Sequence, residues 1–166
     1  MNWTDTTLGE LITFQRGKDL PKADMKGGIY PVVGSNGIIG WHNQFTTEAP
    51  GITIGRSGST GHPFLCETQS WSHNTTLYIK NYRSCAPRFI YYFLQTLHLN
   101  EYAGGSAVPT LNRNHIHSIS VRVPDIKTQE RIAAVLSCVD DKIRANAQLN
   151  GYLEELLLAQ YDELFP

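Results

Sequence analysis

The sequence predicts an α+β fold, with a mixed, mostly β head carrying short helices and one long C-terminal helix of coiled-coil type. Three observations lead there. Turn signals recur through residues 1–124, at "KGGIYP", "GSNG", "APG", "GRSGSTGHP" and "AGGSAVP", where glycine and proline punctuate the chain. Short β-favouring runs lie between them. After Lys127 the texture changes, with no proline before Pro166 and a single glycine, Gly151.

In chain order, "TTLGELI" near the start reads as a short helix, with Thr6 or Thr7 as its cap and Glu10 at capping-box distance. The runs "GITIG" (51–55), "TTLYIK" (75–80) and "HSISVRV" (117–123) read as strands. In the last, Ile119, Val121 and Val123 alternate with Ser118, Ser120 and Arg122, as a half-buried strand requires. Between them, "APRFIYYFLQTLHL" (86–99) predicts a helix: Pro87 stands at its start, and Phe89, Phe93, Leu94 and Leu97 recur at helical spacing. No internal repeat is visible.

The tail carries a heptad. Positions 132, 136, 139, 143, 146, 150, 153, 157, 160 and 164 hold Ile132, Leu136, Val139, Ile143, Asn146, Asn150, Leu153, Leu157, Gln160 and Leu164, seven of ten apolar, and Val135, Leu149, Leu156 and Tyr161 widen the stripe. One helix over 127–165 would run about 58 Å at ~1.5 Å per residue, longer than packing on the head requires. Gly151 is the expected point of any kink or division. Asn146 and Asn150 inside the seam are residues that fix register and partner orientation in helix pairs.

Composition narrows the function classes. With 41% hydrophobic and 17% charged residues, the chain can bury a core and does not resemble a disordered one. No run approaches the ~18 apolar residues of a membrane span, and "MNWTDTTLGEL" has neither a basic leader nor an apolar signal core, so a cytoplasmic protein is expected. Cys66, Cys85 and Cys138 are odd in number and widely spaced, which indicates neither a disulfide framework nor a structural zinc. The net charge of −1 hides an asymmetry. Residues 1–124 hold ten Lys and Arg against seven Asp and Glu, a balance of +3; residues 125–166 hold four against eight, a balance of −4. A mildly basic head is compatible with nucleic acid.

No constellation of catalytic groups stands out. Pro124-Asp125 followed by Asp140-Asp141-Lys142 fits the loose pattern of a Mg²⁺-dependent nuclease. The intervening "KTQERIAAVLSCV" has helical period, however, which makes Asp125 a helix cap and puts Asp140 about 22 Å away along the axis, too far to share a metal. "GRSGSTGH" (55–62) lacks the G-K-[ST] ending of a phosphate loop and the G-x-S-x-G spacing of a nucleophile elbow. It reads either as a tight turn or as a loop presenting Arg56, Ser57, Ser59 and backbone N–H groups to a polyanion. His115-x-His117, on a strand, would share a face, but two ligands do not make a metal site.

Several stretches, in order, resemble the specificity subunit of type I restriction–modification systems: Trp3 with "LGEL" and Arg16-Gly17, "YPVVGSNGIIGWHNQ" (30–44), "ITIGRSGSTGHPF" (52–64), "RFIYYFLQ" (88–95), "GGSAVPTLNRNHIHSISVRVP" (104–124) and "QERIAAVLSCVDDKI" (129–143). The resemblance implies a target-recognition domain over 1–124, reading a few base pairs of one half-site of double-stranded DNA. It implies a spacer helix over 125–166, packing antiparallel on a second copy and docking the adenine methyltransferase subunits, and through them the restriction subunit. It implies no catalytic residue, cofactor or metal in this chain. Members of the family usually hold two recognition domains and two spacer helices. With one of each, this chain is expected to be a half-subunit or a fragment, and to homodimerise through residues 127–165.

The residue types that contact DNA nominate Arg56, Ser57 and Ser59 in the glycine turn and Arg16 and Lys18 after the first helix. Asn36, Trp41 and His42 around the second turn join them, with Asn112, Arg113 and Asn114 beside "PTLN". Arg and Asn can make bidentate base contacts, whereas Ser, Lys and backbone N–H groups hold phosphates. Two rivals remain: a small Mg²⁺-dependent nuclease, and a coiled-coil assembly protein with an unrelated head.

Overall fold

The structure is a computed structural model, and it describes residues 2–104 and 109–165. It is α+β, as the sequence predicts, and ends in one long helix. Strand β1 (Trp3–Thr7) leads into the single turn α1 (Leu8–Leu11) and strand β2 (Ile12–Arg16). The expected "TTLGELI" helix is thus shorter, because Thr6 and Thr7 extend in β1. The capping box operates all the same, since the Thr7 N–H donates to the Glu10 carboxylate at 3.1 Å.

Next come the hairpin β3 (Tyr30–Gly34) and β4 (Gly37–His42), then β5 (Gly51–Gly55), β6 (Pro63–Cys66), β7 (Trp71–Ser72) and β8 (Thr76–Tyr82). One sheet has the order β2-β8-β5-β6 and another β4-β3-β7. "GITIG" is buried along its whole length, as befits a strand with neighbours on both sides. At the end of β5 a side chain is excluded: a Cβ on Gly55 would lie 1.7 Å from the Ser59 carbonyl oxygen. The chain folds back there, the Gly61 N–H donating to the Gly55 carbonyl at 2.9 Å.

Helix α2 (Pro87–Gln95) starts on Pro87 and buries Phe89, Ile90 and Leu94. It stops short of the predicted residue 99, since His98 is left-handed at φ 46° and opens a 3₁₀ turn, Leu99–Tyr102. Short strands β9 (Ala103–Gly104) and β10 (Thr110–Leu111) pair across the small-residue loop of the "GGSAVP" motif; its residues 105–108 lie outside the described residues. Helix α3 (Arg113–His117) follows, then β11 (Ser120–Pro124). The predicted strand 117–123 is corrected at its start. His115 and His117 are helical because the Asn112 side chain accepts the Asn114 N–H at 3.0 Å and caps α3. Beyond it the expected alternation is seen, Val121 and Val123 buried and Ser120 and Arg122 exposed.

β11 runs antiparallel to β1, Trp3 opposite Pro124, and delivers the chain to α4 (Ile126–Leu164), 39 residues without a break at Gly151. The Asp125 carboxylate caps α4, accepting from the Thr128 N–H at 3.0 Å and the Thr128 hydroxyl at 3.1 Å. Those bonds, the backbone one foremost, lower the Asp125 pKa. Gln129, only 2% exposed, ties the joint: its Nε2 donates to the Pro124 carbonyl at 2.9 Å and its Oε1 accepts the Ala86 N–H at 3.1 Å. Ala133 is buried in the core, and the Tyr92 hydroxyl of α2 donates to Asp140 at 2.7 Å. From residue 141 to 165 every residue is exposed except the half-buried Gly151. About 36 Å of helix, at ~1.5 Å per residue, therefore leaves the head with its apolar seam uncovered. No helix among the described residues is long and apolar enough to cross a membrane.

Candidate nucleic-acid interface

Several of the nominated residues share one cleft. Its volume is about 560 Å³, and Arg16, Arg56, Asn112 and Arg113 line it over a floor of Leu77 and Leu111. Each wall has a structural cause. Arg16 closes β2 opposite Leu77 of β8, and Arg56 follows β5 on the other side of β8. With neighbouring strands ~4.8 Å apart and Arg56 two residues beyond the register of Arg16, the two backbone positions stand roughly 12 Å apart across the sheet. The Arg56 N–H donates to the Thr75 carbonyl, and its own carbonyl accepts the Leu111 N–H, both at 2.8 Å. Ser57 bridges Thr110 in the antiparallel sense, which joins the glycine turn to "PTLN". The cap on α3 then brings Arg113 into the lining. The ion pairs of the described residues involve Arg88, Arg122 and Arg144, so the three cleft arginines have no acidic partner among them.

The remaining nominees lie around or away from this cleft. Ser57 is half-buried and Ser59 exposed on the same turn, while Asn114 is exposed on α3. Lys18 lies past the end of β2, where its N–H donates to the Ser72 carbonyl at 2.9 Å and its side chain is exposed. Asn36 is exposed in the β3–β4 turn. That turn abuts the glycine turn, since a Cβ on Gly58 would come within 3.4 Å of the Ser35 hydroxyl. Trp41, 50% exposed, lies five residues after Asn36, on the edge strand β4.

His42 is a correction. It is 6% exposed, its ring meets Trp71 edge-on at 5.1 Å, and its Nδ1 accepts the Lys26 N–H at 3.4 Å. Its ring belongs to the packing under the hairpin rather than to its exposed surface.

His115 lines the cleft and was not among the nominees; its place two residues after Arg113 was the available signal. His117 turns the other way. Its Nε2 accepts the Phe14 N–H at 3.0 Å and its ring stacks on Phe14 with centroids 6.0 Å apart. Burial, aided by the charges of Arg113 and Arg83, lowers its pKa, which keeps that acceptor nitrogen unprotonated. No group of three or more His, Cys, Asp or Glu suited to a metal ion exists among the described residues.

The family model described as "Type I restriction modification DNA specificity domain" matches residues 1–155. The chain belongs to this family. The type I restriction enzyme EcoprrI specificity subunit of Escherichia coli is 26% identical over 140 residues, spanning 81% of this chain and 35% of that protein. The MjaIX specificity subunit of Methanocaldococcus jannaschii is 31% identical over 81 residues, 46% of this chain and 19% of that protein. Among solved structures, the type I restriction–modification S subunit from M. genitalium shares the fold with a TM-score of 0.78 at 21% identity, covering 89% of this chain and 41% of that one. HsdS from Thermoanaerobacter tengcongensis does so at 0.63 and 15% identity, over 86% of this chain and 38% of that one. The specificity domain described here therefore spans about a third or less of these curated relatives and about two-fifths of the solved structures.

The nuclease alternative finds no support. In this specificity domain Asp125 caps α4 and Asp140 accepts from Tyr92. Fifteen residues of unbroken helix, about 22 Å, separate the two carboxylates. Lys142 is exposed on the same helix.

Proposed function

We propose that this chain is a non-catalytic, DNA-reading part of a type I specificity subunit, binding one half-site of a bipartite target in double-stranded DNA. The observation that carries the reading is the cleft, where Arg16, Arg56, Asn112 and Arg113 converge without an acidic partner among the described residues, in a chain matched by the specificity family over 1–155. The head over 1–124 binds DNA, and the helix from 125 onward measures the distance to a second head. Leu136, Val139, Ile143, Leu153, Leu157 and Leu164 are exposed along α4, and Asn146 and Asn150 interrupt that seam. A second copy packed antiparallel would cover the apolar positions and pair the asparagines, so a two-fold particle would read an inverted repeat. Adenine methyltransferase subunits dock on the same helix and bring the restriction subunit. Such a complex acts on cytoplasmic DNA.

The test is light scattering of the protein at tens of micromolar, followed by mobility shifts on DNA with an adenine methyltransferase partner present. A dimer that retards duplex DNA is expected. A monomer whose helix is intact by circular dichroism overturns the dimer. Self-association without DNA binding, the partner present, leaves the coiled-coil assembly reading.

A further inference from the structure

The cleft has a shape as well as a charge, and the shape says which part of a duplex fits it. Base edges lie at the bottom of a major groove roughly 8.5 Å deep, so a protein reaches them from elements that project. Arg16, Arg56 and Arg113 face a recess instead, floored by Leu77 and Leu111, which are 2% and 1% exposed. A recess receives what projects from the ligand, and on a duplex that is the phosphodiester backbone. We propose that this cleft is a phosphodiester seat, holding the DNA backbone without regard to sequence, and that the exposed β3–β4 turn bearing Asn36 reads bases beside it. The proposal rests on the DNA-reading function above and divides it between two places.

Three features favour an anion of this kind. Among the described residues no carboxylate lines the cleft, so none of them repels a phosphate there. A guanidinium presents a planar fork that matches two phosphate oxygens, and it does so most strongly over an apolar floor, where the local dielectric is low. The backbone under the arginines is also held in advance. Arg16 pairs with Leu77, Arg56 is hydrogen-bonded on both its N–H and its carbonyl side, and Arg113 follows the Asn112 cap. The Asn36 turn touches the same glycine turn through Ser35, so a duplex seated in the cleft brings its grooves past Asn36.

The experiment compares two probes: a duplex selected from a random pool by the wild-type protein with its methyltransferase partner, and a duplex of random sequence. Affinities for both are measured across a salt series for wild type, Arg16→Gln, Arg56→Gln, Arg113→Gln and Asn36→Ala. Each Arg→Gln change is expected to weaken both probes by the same factor and to reduce the slope of log affinity against log salt by about 1. Arg→Lys at the same position is expected to restore the slope, which separates lost charge from misfolding. Asn36→Ala is expected to reduce the preference for the selected duplex and leave the salt slope alone. Arginine variants that lose only the selected duplex would make the cleft a base reader and overturn the proposal. Variants that bind both duplexes as wild type does would place DNA elsewhere and also overturn it; either result leaves the DNA-reading function standing. Wild-type protein that binds neither duplex, partner present, removes both.

Discussion

Ile90 and Leu157 are both aliphatic residues on helices, yet Ile90 is wholly buried in the core under α2 whereas Leu157 is 67% exposed on α4. The same contrast runs through the regions they belong to. The head encloses most of its large aliphatic side chains, from Leu8 in α1 to Ile116 in α3, leaving Ile29, Ile38 and Ile39 exposed, and it extends that core into the first turns of α4 through Ala133. The distal part of α4 encloses none: Ile143, Leu149, Leu153, Leu156 and Leu164 are all more than half exposed. The head's stability is internal to the chain. Helices in proteins owe most of their stability to packing of the apolar face. The distal helix finds no such packing within the described residues, so under the proposed dimer its stability would depend on concentration.

The contrast breaks or holds most visibly with Ile90→Ala. Emptying that buried site is expected to cost roughly 2–5 kcal/mol in urea denaturation of the head. Leu157→Ala should leave the midpoint of dilute protein unchanged and appear only as weaker self-association. Equal losses in dilute protein would erase the distinction between the regions. At the joint, Gln129→Ala strands the Ala86 N–H and the Pro124 carbonyl and is expected to cost about 1–3 kcal/mol in the thermal melt. An unshifted melt would mean the two regions meet without that clamp.

The smallest effect is a pH slope confined to the head. Because burial and nearby arginines lower the His117 pKa from its ordinary 6.5, the folded protein binds fewer protons there than the unfolded chain. Its contribution to stability is complete above pH about 6.5 and is lost as the pH falls through the lowered value. The thermal midpoint is expected to drop between pH 7 and pH 5, and less so in His117→Gln. An identical drop in the variant would take His117 out of the account.

What the sequence made legible was local. "GITIG", Pro87 at the start of α2, Glu10 at capping-box distance, Asp125 ahead of α4 and the heptad seam are each decided within a few residues, and each appears where local rules put it. The His115-x-His117 segment was misread because β-favouring residues follow it, while the decisive interaction, one side-chain cap from Asn112, has the same short-range character and could have been seen. His42 was different. Its burial depends on Trp71 and Lys26, contacts that no local pattern encodes. The cleft is the clearest case: Arg16, Arg56 and Arg113 meet only because β2 and β5 both pair with β8 and Leu111 bonds to Arg56. The residue types could be nominated from the sequence, but their convergence could not.

The pairing of β1 with β11 has one more consequence. The Asp125 N–H donates to the Asn2 carbonyl at 3.0 Å, and Trp3 stands opposite Pro124, so the chain enters and leaves the head through a single doorway at the root of α4. A unit whose two ends meet in this way can be lifted out and replaced as a cassette. A foreign head grafted between the same two points would inherit the helix and its direction unchanged, provided it brought its own counterparts of Tyr92 and Ala86 to meet Asp140 and Gln129.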